Sequence, residues 1–370
     1  MTKARELADL IANVNKGSSL GNKNLIINGA MNVAQRSTSE ASKTTVDGYV
    51  CLDRWSIQLG SSGTFTISQS TDVPSGYGFS NSTKFDCTTA DASPSYGLIR
   101  QRFEGQNLQV LRKGTSSAVP VTLSFWVKSN LTGNFQVNLQ DIDTSGSRHI
   151  GATYSISSAN TWEKKEITFA GDTTGALDND NACSFNIEWW LAAGSTYNSG
   201  SVPTSWAAEA NGNRAAGLNV SIGSSTSNDF YITGCQLEIG EKATEFEHEP
   251  FETTLAKCQR YFCRTYTYGV ATGTASVLGA VVTQAEVAST AYSGSGTWEY
   301  PVEMRAAPTI TLYSTQNADT TGKTTADGTD GTGTTYGIGS RSVFICRHND
   351  SSGVVLNAFL KAHAVATAEL

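Results

Sequence analysis

Hydrophobic and polar positions alternate one by one along most of this chain. Trp55, Ile57 and Leu59 are separated by Ser56 and Gln58, Phe65 and Ile67 by Thr66, and Val220 and Ile222 by Ser221. Successive side chains of an extended strand point to opposite sides, so each such run predicts a half-buried strand. The pattern holds from residue 24 to about 252, interrupted by Gly-, Ser-, Thr- and Asp-rich stretches at 38–46, 171–182 and 194–204 that read as surface loops. Short strands joined by polar turns predict an antiparallel β-sandwich.

At the N-terminus the period changes. Leu7, Leu10, Ile11 and Val14 recur at helical intervals, with Lys3, Arg5, Glu6 and Asp9 on other faces, before Gly17-Ser18-Ser19 stops the pattern. Residues 1–23 therefore predict a short amphipathic helix. A helix of this length is marginal alone and needs a partner surface, from copies of itself or from a neighbouring protein. A second helical interval follows Pro250. Residues 253–263, with Leu255, Cys258, Gln259 and Phe262 on one side, predict a helical hinge between a domain at 24–252 and a smaller β-domain at 264–370. In that last domain 277–282, 309–313, 342–346 and 354–359 read as strands. The stretch 361–367 sets Ala362, Ala364 and Ala366 against Lys361, His363, Val365 and Thr367. Small side chains admit close approach of another surface, which makes this face a candidate subunit contact. The Thr-, Gly- and Asp-rich interval 317–339 is too polar for a core and predicts a long exposed hairpin.

Composition narrows the partners. Charged residues make up 16% of the chain against 39% hydrophobic, and 35 glycines accompany abundant Ser and Thr, which suits many turns. A net charge of -7 argues against nucleic acid, because neutralising phosphates needs clustered Lys and Arg. No stretch has the apolar length of a signal peptide or membrane span, so synthesis in a cytoplasm without membrane insertion is expected. The seven cysteines are scattered without a Cys-x-x-Cys pair and read as free buried thiols, not zinc ligands.

The run Asn24 to Arg36, NLIINGAMNVAQR, followed by Asp47-Gly48-Tyr49 and Asp53-Arg54-Trp55, resembles the opening strand of a jelly-roll module in phage tail-fibre and virion structural proteins. LSFWVKS at 123–129, TWEKKEITFAGD at 161–172 and DFYITGCQLEIGEKATEFE at 229–247 resemble later strands of such modules. ETTLAKCQRYF and the terminal AHAVATAEL resemble the small β-domain that closes many of these chains. The resemblance implies an all-β protein: a jelly-roll β-sandwich like a carbohydrate-binding module, then a smaller C-terminal β-domain. It also implies a homotrimer in the virion, at the tail, made in the host cytoplasm. Such a tail fibre or appendage docks to other virion proteins through the N-terminal helix and attaches to a host-surface polysaccharide. Long fibre proteins carry a larger N-terminal anchor, so an accessory appendage, a head fibre or a virion connector that binds no sugar stays open.

Alternation sorts the strand faces. In 121–128, Val121, Leu123, Phe125 and Val127 point one way and Thr122, Ser124, Trp126 and Lys128 the other. In 135–141, Phe135, Val137 and Leu139 oppose Gln136, Asn138 and Gln140; in 185–191, Phe185, Ile187, Trp189 and Leu191 oppose Asn186, Glu188 and Trp190. A sugar ring presents an apolar face and a rim of hydroxyls. Trp126 and Trp190 suit stacking, and Asn186, Glu188, Gln136, Asn138 and Gln140 suit hydrogen bonding, so these seven are the glycan-binding candidates. The competing reading puts the two tryptophans at a subunit interface or under a loop. Trp55, Trp162, Trp189 and Trp206 read as core or rim.

Other chemistry is weakly represented. Asp141 with Asp143, and Asp178 with Asp180, form acidic loops that read as solvated turns. Similar jelly rolls hold a structural calcium, for which such loops offer oxygens, but no ligand set can be assembled from sequence. Glu188 is the one carboxylate in a sugar-like setting. A capsule depolymerase would need a second carboxyl across a cleft, and the four histidines stand in no triad or metal spacing, so no catalytic residue is assigned.

Overall fold

The computed structural model describes residues 23–284, 292–326, 328–348 and 358–370. The predicted N-terminal helix with Leu7, Leu10, Ile11 and Val14 lies outside these residues, as does most of the strand expected at 354–359. The described chain is almost entirely β and divides into two units. The first takes residues 23–32, Ser39–Tyr49 and Trp55–Glu249, and the second takes Val33–Thr38, Val50–Arg54 and Pro250–Leu370.

The first unit is a jelly-roll β-sandwich of two antiparallel sheets. One sheet runs β1 (Ser39–Lys43), β4 (Thr64–Ser70), β5 (Ser82–Thr89), β13 (Asp229–Ile239), β7 (Val121–Ser129), β10 (Glu163–Phe169). The other runs β12 (Ala207–Ala208), β9 (Arg148–Ile156), β8 (Gly133–Asp141), β11 (Cys183–Ala193), β6 (Tyr96–Glu104), β3 (Ser56–Gly60), β2 (Val46–Gly48). The inward set of each alternating strand meets its counterpart across the layer. Phe125 lies 5.0 Å from Tyr154 and 5.8 Å from Trp189 between ring centroids, and Phe135 lies 5.4 Å from Phe230. Each large side chain sealed in this way contributes about 1.5–3 kcal/mol.

The segment expected as an opening strand is instead a turn. Asn28 and Met31 take left-handed φ of 59° and 58°, and the Asn28-Gly29 pair bends the chain where a strand would run straight. Gln101, on the inward side of β6, fixes it: its Nε2 donates to the Ile27 carbonyl at 2.9 Å and its Oε1 accepts the Ile27 N–H at 2.7 Å. Trp55 packs in the core, with its ring 5.5 Å from Trp189, and its Nε1 donates to the Asn28 carbonyl at 3.0 Å. The alternation at 219–222 also misleads: Ile222–Ser224 is a 3-10 turn whose Ile222 plugs the core from a loop.

In the second unit one sheet runs β14 (Phe262–Arg264), β21 (Phe359–Thr367), β18 (Lys323–Ala326), β19 (Thr329–Tyr336), β20 (Ser342–His348), β16 (Tyr292–Glu299), and β15 (Val281–Gln284) and β17 (Thr309–Tyr313) also pair with β21. Ala362, Ala364 and Ala366 are not a subunit contact. They are 2%, 0% and 0% exposed and pack against Trp298, Met304, Leu312, Val343 and Ile345 of their own unit. Interval 317–339 forms the hairpin β18–β19, yet Thr324, Thr325 and Ala326 are buried. Asp330 makes this tolerable by accepting hydrogen bonds from Thr325 Oγ1 at 2.6 Å and Ser314 Oγ at 2.8 Å. The helix Phe251–Gln259 belongs to this unit, and its Cys258 is fully buried.

Asp53 of the Asp-Arg-Trp motif is also buried in the second unit. Gln35 Nε2 donates to its Oδ2 at 2.5 Å and Arg36 Nη1 lies 3.0 Å from its Oδ1. Burial outweighs these partners and raises the carboxyl from 3.8 to about 6. Between those values the folded chain holds a proton that the unfolded chain releases. The contribution to stability is therefore greatest below pH 3.8 and is lost as pH rises through about 6. Asp53→Asn keeps the shape and removes the titration. The difference in unfolding free energy between wild type and variant should fall by on the order of 2 kcal/mol across that window, and a flat difference refutes the assignment.

Candidate functional site

The strand registers place Asn186 opposite Gln140, Glu188 opposite Asn138 and Trp190 opposite Gln136, all on the outer face of the seven-stranded sheet. Six of the seven candidate residues thus share one surface. That surface is closed. Asn186, Glu188, Trp190, Gln136, Asn138 and Gln140 are all buried, with Trp190 and Gln136 at 0% exposure.

The cover is the chain itself, over residues 194–218. Gln136 Nε2 donates to the Asn213 carbonyl at 2.9 Å, its Oε1 accepts the Gly217 N–H at 2.7 Å, and Asn138 Nδ2 donates to the Arg214 carbonyl at 2.6 Å. Gln140 Nε2 donates to Glu209 at 2.6 Å. Arg214 spans both oxygens of Glu188 at 2.7 and 2.9 Å and sits 5.2 Å over the Trp190 ring, while Tyr197 packs on the same indole at 5.1 Å. Burial opposes the charge on Arg214, but Glu188 outweighs it and holds the guanidinium above its ordinary value. The polar face was read as a hydroxyl-binding surface, and its hydrogen-bonding capacity is spent on a loop. Glu188 is correspondingly committed to Arg214 and to the Trp190 Nε1 at 3.3 Å. Close fit enforces the cover: a Cβ on Gly217 would fall 2.0 Å from Thr153 Cγ2.

Trp126 is separated from the other six, because β7 belongs to the six-stranded sheet. There it joins aromatics that the face-sorting had not combined. Tyr77, 53% exposed, packs on Trp126 with centroids 4.4 Å apart. Trp162 lies 6.1 Å from Tyr231, and the Lys128 ammonium stands 4.4 Å from the Tyr231 centroid and 5.6 Å from that of Trp162. Trp162 Nε1 donates to Asp72 at 2.9 Å, and Asp72 pairs with Lys128. Burial opposes ionisation of Asp72, yet the Lys128 and Trp162 hydrogen bonds and the lysine charges hold its carboxyl below the ordinary range. The positive charges on this face are matched: Lys84 pairs with Asp86 at 2.9 Å and Lys164 with Glu166 at 2.7 Å. The result is an aromatic shelf of mutually tilted rings, 49° between Tyr77 and Trp126 and 67° between Trp162 and Tyr231, in which Trp126 and Tyr231 are buried and the rim is hydrogen-bonding with matched charges. Trp162 could have been placed on it from sequence, since it stands two residues before Lys164 and alternation puts both outward.

Among the described residues no group of three or more His, Cys, Asp or Glu is arranged to hold a metal ion, and no helix is long and apolar enough to cross a membrane. None of the seven cysteines forms a disulfide, and six of them are buried.

No family model and no curated protein matches the sequence. Among solved structures the chain is similar to the enzymatically active domain of bacteriophage CBA120 tailspike protein 4, at 14% identity and a TM-score of 0.31, over 59% of this chain and 22% of that one. It is also similar to a putative sugar-binding protein from Bacteroides thetaiotaomicron, at 13% identity and 0.34, over 59% of this chain and 100% of the other. A carbohydrate-binding module bound to β-1,4-galactotriose matches at 13% and 0.26, over 50% and 88%. Scores of this size align no residue of this chain with a functional residue of theirs, so the site is read from its own geometry.

Proposed function

We propose that this chain is a non-catalytic, glycan-binding structural protein of a phage virion, a trimeric tail fibre or appendage that attaches to host-surface polysaccharide. The observation that carries the binding part is the aromatic shelf in which Tyr77 is exposed and Trp162 half-buried, backed by the buried rings of Trp126 and Tyr231. Tyr77 and Trp162 offer ring surface for the apolar side of a sugar, with Asp72, Lys84 and Lys128 beside them for hydroxyls. Balanced charge around the rings favours a neutral sugar over an acidic one. The virion setting and the trimer rest on the resemblance of the sequence segments. Three linked copies would raise avidity by about 10² or more over one weak site.

Binding of the full chain to a glycan array and to host polysaccharide tests this reading. Tyr77→Ala and Trp162→Ala should each weaken binding about 2–10-fold, the scale of one aromatic contact. Trp190→Ala is unsuited as a binding probe, because its ring is fully buried. Unchanged binding in both shelf variants would sink the shelf as the site, and no binding by wild type would leave a structural connector, a reading that closure of the polar face also favours. Light scattering should give the mass of a trimer.

A further inference from the structure

The acidic loops at Asp141 and at Asp172 converge on a lysine. Lys113 Nζ lies 2.6 Å from Asp141 Oδ2, 3.3 Å from Asp172 Oδ2, 3.3 Å from Thr144 Oγ1 and 2.7 Å from the Thr174 carbonyl. Two carboxylates, a hydroxyl and a peptide oxygen thus surround one positive charge. The three charged side chains are 3%, 0% and 3% exposed.

The second oxygens of the carboxylates are already engaged. Asp141 Oδ1 accepts the N–H groups of Asp143 at 3.0 Å and Thr144 at 3.3 Å, and Asp172 Oδ1 accepts that of Thr174 at 3.0 Å, while Arg148 holds both oxygens of Asp172, Nε donating to Oδ2 at 2.9 Å and Nη2 to Oδ1 at 3.2 Å. Asp141 Oδ2, by contrast, meets only the ammonium, at 2.6 Å, and has no other hydrogen-bond donor. A buried carboxylate oxygen aimed at a central cation in this way has the geometry of a metal ligand. The loops close tightly around it: Gly114 and Gly175 take φ of +79° and +73°, and a Cβ on Gly175 would stand 2.9 Å from Nζ and 2.0 Å from Thr144 Oγ1.

We infer that Lys113 is the structural cation of this sandwich, a tethered ammonium in an oxygen cage that takes a hard divalent ion once the ammonium is removed. Calcium takes about six to eight oxygens, so the four present and a few waters complete its shell. The covalent tether makes the three loops independent of dissolved metal, because a buried ammonium paired to two carboxylates cannot leave.

Thermal unfolding of the full chain, followed by circular dichroism in EDTA and across a calcium titration, tests this. Wild type should unfold at the same temperature in both. Lys113→Ala should unfold earlier in EDTA and recover most of the loss in calcium, saturably, with one site seen by titration calorimetry. Adding Asp141→Asn should abolish that recovery. If Lys113→Ala does not fold in EDTA, refolding from urea into calcium gives the same readout. A variant that calcium neither binds nor rescues, or a wild type that calcium stabilises, overturns the inference.

Discussion

Arg214→Ala should destabilise the first unit by about 3–5 kcal/mol, the scale for removing one partner of a buried ion pair. The reason is what it leaves behind. Glu188, 1% exposed, would be left beneath residues 194–218 with the Trp190 Nε1 hydrogen bond and the charge of Arg100, opposite it on β6, in place of its closest ion pair. Loss of the guanidinium also removes a cation from the faces of Trp190 and Tyr197, 5.2 and 5.7 Å away. Urea unfolding gives the magnitude, and acrylamide quenching of tryptophan fluorescence reports whether the indole face opens. Glu188→Gln combined with Arg214→Met should recover much of the loss, because neither group is then left as a buried unpaired charge. A loss under about 1 kcal/mol in the single variant would mean that the cover is held by the amide ladder and not by this pair.

The same surface shows how far alternation carries. Sorting every second side chain placed Gln136, Asn138, Gln140, Asn186, Glu188 and Trp190 together, because period two is a property of the strand backbone. What covers them lay beyond that rule. Residues 194–218 have no regular period, and their polar composition gave no sign that Tyr197 and Arg214 turn inward. One clue was present: a face with five hydrogen-bonding side chains and an indole must find partners, and a loop serves as well as a sugar. Trp126 was misplaced for a different reason. Alternation gives the face of a strand but not the sheet that receives it, and sheet membership here follows from long-range pairing of β7 with β13 and β10. The Lys113 cage was invisible for the same cause, since its oxygens come from loops far apart in the chain. The Asn24–Arg36 run failed locally, where an Asn-Gly turn overrode an apolar stretch that reads as a strand.

Glu369→Ala should destabilise the second unit by a similar amount, about 3–5 kcal/mol. Its carboxylate, 7% exposed, receives Arg36 Nη2 at 2.8 Å and pairs with Arg54, itself 1% exposed. The two guanidiniums lie over Phe262 and Tyr261, 3.7 and 3.5 Å from the ring centroids, so neither can swing to water without losing that packing. Alanine removes the carboxylate that Arg54, fully buried, shares with half-buried Arg36, while Arg36 keeps its pair with Asp53. Glu369→Gln keeps an oxygen acceptor and should cost less. Because the Glu369 charge is one of the influences raising the Asp53 carboxyl, either substitution should also move that titration downward from about 6. Hydrogen exchange localises the effect: amides of β14 and β21 should exchange faster in Glu369→Ala, while those of β7 and β11 keep their protection. Uniform acceleration across both units, or none in β21, would sever the link between this acid and the arginines of the opening motif.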